Sequence, residues 1–305
     1  MPITPTEKIW MNGELVDWAE ARIHVLTHTL HYGTGVFEGI RAYETDQGAG
    51  IFRLTDHIER LFRSARIMGM EIPYTVEEIV AATKQTVAAT GLSSCYIRPI
   101  AYYGYGEMGL STVPCSVDVA IACWPWGAYL GDDALTKGVR MKISSWVRHG
   151  HNSMPPAAKT TGNYVNSSLA KVEALKAGYD EAIILAPSGN VSECTGENVF
   201  VCRHGRLLTP PLSAGALEGI TQDSVMTIAG DLGIETAFGE LSRSDLYVAE
   251  EMFVCGTAAE VSSVRSVDDR EIPCPGPKTL AIAEEYHKAI RGQVDRYKDW
   301  VEHAE

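Results

Sequence analysis

Apolar residues in this chain change spacing several times, from the 3.6-residue period of a helix to the alternating or continuous pattern of a strand, and they do so in both halves. Ile58, Leu61, Phe62, Ala65 and Met68 recur at helical spacing between Thr55, which can cap a helix, and Gly69, which can end one. Residues 75–90 read as a second helix ending at Gly91, and 95–103 and 117–126 as strands rich in aromatic and β-branched residues. Asn12-Gly13 between short apolar runs predicts a hairpin over 9–18, because both residues accept the positive φ of a tight turn. The later half gives strands over 141–148, 181–186 and 252–255, a helix over 164–177 closed by Gly178, a hairpin about His204-Gly205, and a capped helix over 221–232. Such a chain belongs to the mixed α/β class, with no internal repeat.

At 305 residues and 45% apolar content, the chain exceeds the usual single-domain size and can bury two cores. The strand pattern stops near Trp124-Pro125-Trp126-Gly127 and Gly131-Asp132-Asp133, so an N-terminal α/β domain is expected over 1–126, a linking loop over 127–135 and a C-terminal α/β domain over 136–305. A net charge of −13 without a basic block argues against nucleic acid as a partner. No stretch approaches the roughly 20 apolar residues of a membrane span, and the N-terminus lacks a basic segment followed by an apolar one. Seven cysteines at 95, 115, 123, 194, 202, 255 and 274 form no C-x-x-C pair, which suits reduced thiols in the cytoplasm.

Two patterns imitate functional motifs. Gly104 to Gly109 satisfies G-x-G-x-x-G after a strand and would suggest a nicotinamide oxidoreductase, but residues 110–114 lack helical periodicity, so a loop joining two strands is the better reading. His24, His28 and His31 at i, i+4 and i+7 imitate a zinc site, yet no nearby carboxylate or cysteine completes it, and no metal is expected.

Lys159 stands apart: residues 153–164 surround it with small, apolar and rigid side chains and no acidic neighbour. Desolvation disfavours an ammonium and leaves an amine able to attack a carbonyl, as a Schiff-base lysine requires; a solvated loop lysine is the alternative from composition alone. The segment AAKTTGNYVNSSL (157–169) resembles the cofactor-lysine segment of branched-chain-amino-acid aminotransferases, of pyridoxal-phosphate fold type IV. HYGTGVFEGIRAY (31–43), HIERLFRSA (57–65), YIRPIAYYG (96–104), WPWGAYLG (124–131), VSECTGENVF (191–200), ALEGITQDS (216–224) and CGTAAEV (255–261) resemble that family's other signatures, in order, over nearly the whole chain.

The resemblance implies two α/β domains with pyridoxal 5′-phosphate in the cleft between them, and Lys159 as covalent anchor and proton shuttle. It implies that Glu193 partners the pyridine nitrogen, that Tyr164 bonds the phenolic oxygen and that Leu217 packs on the ring. Arg60, the helix start Gly219-Ile220-Thr221 and Gly256-Thr257 would hold the phosphate, the helix start through free N–H groups and its dipole. Periodicity alone turns Arg60 away from the Ile58, Leu61, Ala65 face, although the apolar Ile67 on its side admits a pocket there.

For substrates, the resemblance implies an aromatic pocket of Phe37, Gly39, Trp126 and Tyr129, with Tyr32, Met108 and Leu110 contributed by the neighbouring subunit of a homodimer. Arg98 and Tyr96 would bind the distal carboxylate of glutamate, and the backbone N–H groups of Thr257 and Ala258 the α-carboxylate. Read as residues only, Tyr96 and Arg98 alternate with Ile97 on a strand, so they could simply be one polar face. The expected reaction moves amino groups between L-leucine, L-isoleucine or L-valine and 2-oxoglutarate. D-amino-acid and R-selective amine transaminases share the cofactor residues and are the alternatives within the fold type. Cys194-Thr195 and Glu218 depart from the family's pattern, and Glu218 puts negative charge beside the phosphate cup.

Overall fold

A computed structural model describes residues 3–127, 129–131 and 133–304; Ala128 and Asp132, within the expected linking loop, lie outside the described residues. The chain forms two compact units. The first comprises Met1–Trp126, Ala158–Gly162 and Lys288–Glu305, and the second Gly127–Ala157 and Asn163–His287.

In the first unit, β1 (Lys8–Met11) and β2 (Glu14–Asp17) form the expected hairpin, with Met11 opposite Glu14 and φ of 50° at Asn12 and 104° at Gly13. β3 (Gly35–Phe37), β4 (Ile40–Thr45), β5 (Gly48–Phe52), β6 (Cys95–Tyr103), β7 (Val117–Trp124) and a C-terminal strand, Val301–His303, complete the sheet. The order runs from the C-terminal strand through β5, β4, β6, β7 and β1 to β2, with β3 also on β6. β7 stops at Trp124 rather than 126, since Pro125 has no N–H to give a ladder.

Short α1 (His28–Tyr32) precedes β3, while α2 (Leu54–Ile67) and α3 (Val76–Thr90) cover one face of the sheet. Ile58 and Leu61 of α2 and Ile79 of α3 are fully buried with Ile97 and Ile121 of the strands; each contributes about 1.5–3 kcal/mol. Alternation then fixes the opposite face. On β6, Cys95, Ile97, Ala101 and Tyr103 enter this core, so Tyr96 and Arg98 point away from it.

Thr75 caps α3 through a capping box with Glu78, but Thr55 does not cap α2. Arg53, in the left-handed region, precedes that helix, and the N–H and hydroxyl of Thr55 both bond Glu302, each at 2.8 Å. A partner distant in sequence took the group that local pattern had assigned to the cap.

The second unit holds β8 (Val139–Val147), β9 (Glu181–Leu185), β10 (Val191–Cys194), β11 (Asn198–Arg203), β12 (Arg206–Thr209), β13 (Thr236–Phe238), β14 (Met252–Gly256), β15 (Glu260–Val267) and β16 (Arg270–Glu271). Its sheet is mixed: β8 runs parallel to β9 and β15, while β11, β14 and β15 pair antiparallel. Its helices are α4 (Ala134–Lys137), α5 (Tyr164–Lys176), α6 (Ile220–Asp231), α7 (Arg243–Tyr247) and all but the last two residues of α8 (Pro277–Ala289). α5 lays Ala170 and Ala174 on Ala182 and Ile184 of β9. Gly219 occupies the N-cap position of α6 and no side chain caps it, so Thr221 is a buried helix residue rather than part of a cap.

Candidate active site

Lys159 lies in the first unit, and main-chain bonds place it. The strand-like run 159–162 lies along β3: Phe37 N–H donates to Lys159 O (3.0 Å), Thr161 N–H to Gly35 O (2.8 Å) and Gly162 N–H to Gly33 O (3.1 Å). Gly33, at φ 65°, permits this approach, since a Cβ there would stand 2.8 Å from Gly162 Cα. Lys159 N–H donates to Ser64 Oγ of α2 (3.0 Å), and the half-buried side chain brings Nζ 5.2 Å from the centre of the Phe37 ring.

Arg60 is buried, for a reason the apolar pattern did not contain. Ile67, the residue expected to line its side, is 46% exposed, whereas His57, Arg60 and Ser64 form a buried polar stripe on α2. Fully buried Glu38, just after β3, accepts from Arg60 Nε (2.7 Å), Arg60 Nη2 (2.8 Å) and His57 Nδ1 (2.8 Å). Burial alone would raise the Glu38 pKa; the charge and bonds of Arg60, with the bond from His57, override it and hold the carboxyl well below the usual range. For His57 burial dominates and pushes the pKa down, against Glu38 and aided by Arg60 and Lys159. Sequence reasoning missed Glu38 and His57, although spacing at 57, 60 and 64 carries the signal of a helix face.

On the sheet face away from the core, Arg98 Nη2 donates to the Tyr96 hydroxyl (3.1 Å). Its guanidinium carbon lies 4.7 Å from the Phe37 ring, 5.2 Å from that of Tyr96 and 6.0 Å from that of Trp124. Trp126 lies against Tyr96 with ring centres 4.6 Å apart and planes tilted by 36°, and Gly39 leaves room for the Tyr96 hydroxyl, which a Cβ would meet at 2.1 Å. Tyr32, Met108 and Leu110 are 42%, 44% and 85% exposed, so these three large apolar groups find little cover in their own chain. The three histidines do not converge: His28 bonds Thr34 and Gly109 O, His31 bonds Val25 O, and His24 accepts from Leu26 N–H. The Gly104–Gly109 segment belongs to the connection between antiparallel neighbours β6 and β7, without a following helix.

The second unit gathers the remaining predicted residues. Buried Glu193 on β10 accepts from Leu217 N–H (2.9 Å) and pairs with buried Arg148, which follows β8 and was not singled out from sequence. Tyr164 opens α5. Leu217 O accepts from Asn198 Nδ2 (3.1 Å), and Asn198 Oδ1 crowds Gly219, where a Cβ would stand 2.0 Å away. Asp223 N–H makes the first bond back into α6, to Gly219 O, so the N–H groups of Ile220, Thr221 and Gln222 precede the ladder. Gly256 ends β14 opposite Glu260, and Thr257 and Ala258 follow in the half-buried turn to β15. Tyr129 also belongs here, with Lys171 Nζ 5.0 Å from its ring centre. Exposed Glu218 adds charge one residue before the helix cap.

A helix N-terminus without a side-chain cap, opened by a glycine where a Cβ would clash, suits an anion, and a buried carboxylate suits a heterocyclic N–H. Comparison with known proteins gives the same direction. The pattern of amino-transferase class IV matches residues 35–267. The chain is 46% identical over 294 residues to the branched-chain-amino-acid aminotransferase of Pseudomonas aeruginosa, covering 96% of this chain and 95% of that one. Its fold superposes with a TM-score of 0.95 on the branched-chain aminotransferase of Thermoproteus uzoniensis with norvaline, at 45% identity over 99% of this chain and 100% of that one. On the T.th. branched-chain amino acid aminotransferase complexed with N-(5′-phosphopyridoxyl)-L-glutamate the TM-score is 0.94, at 45% identity over 99% of both chains. The chain therefore belongs to the class IV aminotransferases and is an aminotransferase by descent as well as by fold.

Proposed function

We propose that this protein is a branched-chain-amino-acid aminotransferase, exchanging the amino group of L-leucine, L-isoleucine or L-valine with 2-oxoglutarate through pyridoxal 5′-phosphate in alternating half-reactions. The observation that carries the reading is that one ring, Phe37, is approached both by Lys159 Nζ at 5.2 Å and by the Arg98 guanidinium at 4.7 Å. An amine for carbonyl chemistry and a cation for a second carboxylate thus share an apolar wall. That combination suits an enzyme whose two amino donors, an aliphatic residue and glutamate, differ by a charge.

Bound pyridoxal phosphate supplies an aldehyde that takes the amino group and a ring that withdraws electrons from Cα. Lys159 Nζ would be the amine that holds the cofactor's aldehyde and the base for the Cα proton. Glu193 would hold a proton on the ring nitrogen, with the Tyr164 hydroxyl available to the phenolic oxygen and Leu217 to the ring. The N–H groups of Gly219, Ile220 and Thr221, with Gly256, Thr257 and Arg60, hold the phosphate. Glu38 takes two of the five Arg60 N–H donors and so fixes the direction of the fork.

Thr257 and Ala258 N–H groups receive the α-carboxylate, and Arg98 with Tyr96 the distal carboxylate of glutamate. Phe37, Gly39, Trp126 and Tyr129 wall the aliphatic side chain. Tyr32, Met108 and Leu110 are supplied by a second copy in a homodimer; their exposure supports this. We place the enzyme in the cytoplasm, which fits seven unpaired cysteines, and take 127–135 as the link between two α/β domains.

The test is the absorption spectrum of the cofactor-loaded protein on adding L-leucine with no oxo acid. Loss of the visible band and appearance of the pyridoxamine form is the expected result. Conversion by D-leucine or an R-amine alone overturns the substrate assignment.

A further inference from the structure

Arg148 has no role in the reading above, yet it is the charged group in contact with Glu193. It follows β8 and is 8% exposed. Its Nη2 meets Glu193 Oε1, while Nη1 donates to Asn166 Oδ1 and Ser167 Oγ, both at 3.2 Å. Those two acceptors lie in the first turn of α5, the turn that Tyr164 opens. Asn166 is fixed in its turn by donating from Nδ2 to Val147 O (3.0 Å). Burial pushes the guanidinium down to about 10, with Tyr164 and Cys194 opposing, so it remains charged at neutral pH. The Glu193 carboxylate keeps acceptor capacity beyond Arg148 and the Leu217 N–H, because each oxygen carries two lone pairs.

We propose that Arg148 is a positioning residue for the cofactor ring: its fork ties the Glu193 carboxylate to the first turn of α5, so that Glu193 and Tyr164 are held as one unit. The proposal rests on the assignment of Glu193 to the ring nitrogen given above. A buried carboxylate needs a fixed counter-charge, and only a planar fork spans acceptors on β10 and α5 together; a lysine supplies the charge but fewer bonds.

The test uses full-length protein loaded with pyridoxal 5′-phosphate, in the forms wild type, Arg148→Met, Arg148→Lys, Glu193→Gln and Arg148→Met with Glu193→Gln. The pH midpoint of the visible band, the cofactor dissociation constant and the apo-protein melting temperature are measured. Arg148→Met is expected to raise the midpoint by about one pH unit, because the Glu193 carboxylate, no longer neutralised and held by its partner, sets more negative charge against the ring, and to weaken cofactor binding roughly ten-fold. Arg148→Lys recovers part of the midpoint shift. In the Glu193→Gln background Arg148→Met adds little, since the group it acts through is gone.

A lower melting temperature with an unmoved midpoint means scaffolding alone and overturns the proposal, as do effects that simply add in the double variant. If Arg148→Met does not fold, Arg148→Lys with and without Glu193→Gln carries the same comparison: an unchanged midpoint and affinity overturns it. A Glu193→Gln protein with unaltered band and affinity is a different failure, that of the Glu193 assignment itself.

Discussion

Replacing Glu38 by alanine tests whether Arg60 is held in the first unit by a buried counter-ion. Glu38 is fully buried and Arg60 only 5% exposed, and the carboxylate receives three charge-assisted bonds from Arg60 and His57. Removing it leaves a buried guanidinium without its principal partner, which costs about 3–5 kcal/mol, against at most about 1 kcal/mol for an exposed pair. Lys8 and Asp17, 39% and 68% exposed, provide that exposed control in the same unit. At about 2–4 °C per kcal/mol for a body of this size, Glu38→Ala should lower the first calorimetric transition by roughly 10 °C and Lys8→Ala by no more than about 4 °C.

The pH dependence has a definite sign. Glu38 has a folded pKa below its unfolded value of about 4.3, so its contribution is complete above that pH and is lost as pH falls toward the folded pKa. His57 also has a folded pKa below its unfolded value of about 6.5, so acid favours the unfolded chain, which takes up the proton first. Wild type should therefore lose stability as pH drops below about 6.5, and more steeply below about 4.3, while Glu38→Ala lacks the second loss. Calorimetry at pH 7.5, 5.5 and 4 reads both effects, and a Glu38→Ala transition no lower than that of Lys8→Ala refutes the argument.

Gly219→Ala keeps an ordinary φ of −78° but sets a Cβ against buried Asn198, which bonds Leu217 O; cofactor affinity should fall at least ten-fold by fluorescence titration, and the melting temperature of the apo-protein should drop by the few degrees that about 1–3 kcal/mol of overpacking costs. Arg98→Leu should raise the KM for 2-oxoglutarate by about two orders of magnitude and leave the half-reaction with L-leucine within a few-fold, as steady-state and single-turnover kinetics would show. Gly39→Ala, whose Cβ would displace the Tyr96 hydroxyl that Arg98 bonds, should shift the same KM in the same direction by a smaller factor.

Elements with their own punctuation were legible in the sequence. Asn12-Gly13 and His204-Gly205 adopt the positive φ their hairpins need, and Gly91 and Thr75 bound α3 as local chemistry dictates. What could not be read is what distant segments decide. Thr55 bonds Glu302 rather than its own helix, and Gly219 occupies the N-cap position of α6 where Thr221 looked equipped to cap. The candidate site shows the same division. Lys159, Glu193 and Arg98 could be proposed from the resemblance of ordered motifs, because each sits in a distinctive local segment. Glu38, His57 and Arg148 were not, because nothing local says that an acid after a strand, or an arginine at the end of one, will be buried against a partner 22 or 45 residues away. Apolar periodicity even misdirected the expectation for Arg60, since Ile67 is exposed and the buried stripe is polar.

The central claim is that Lys159 carries the cofactor. Reduction of the pyridoxal-phosphate-loaded protein with borohydride, followed by digestion and peptide mass analysis, should place a phosphopyridoxyl group on the peptide containing Lys159, and Lys159→Ala should bind the cofactor without giving that product. A label on any other lysine, or full turnover by Lys159→Ala, would contradict the account.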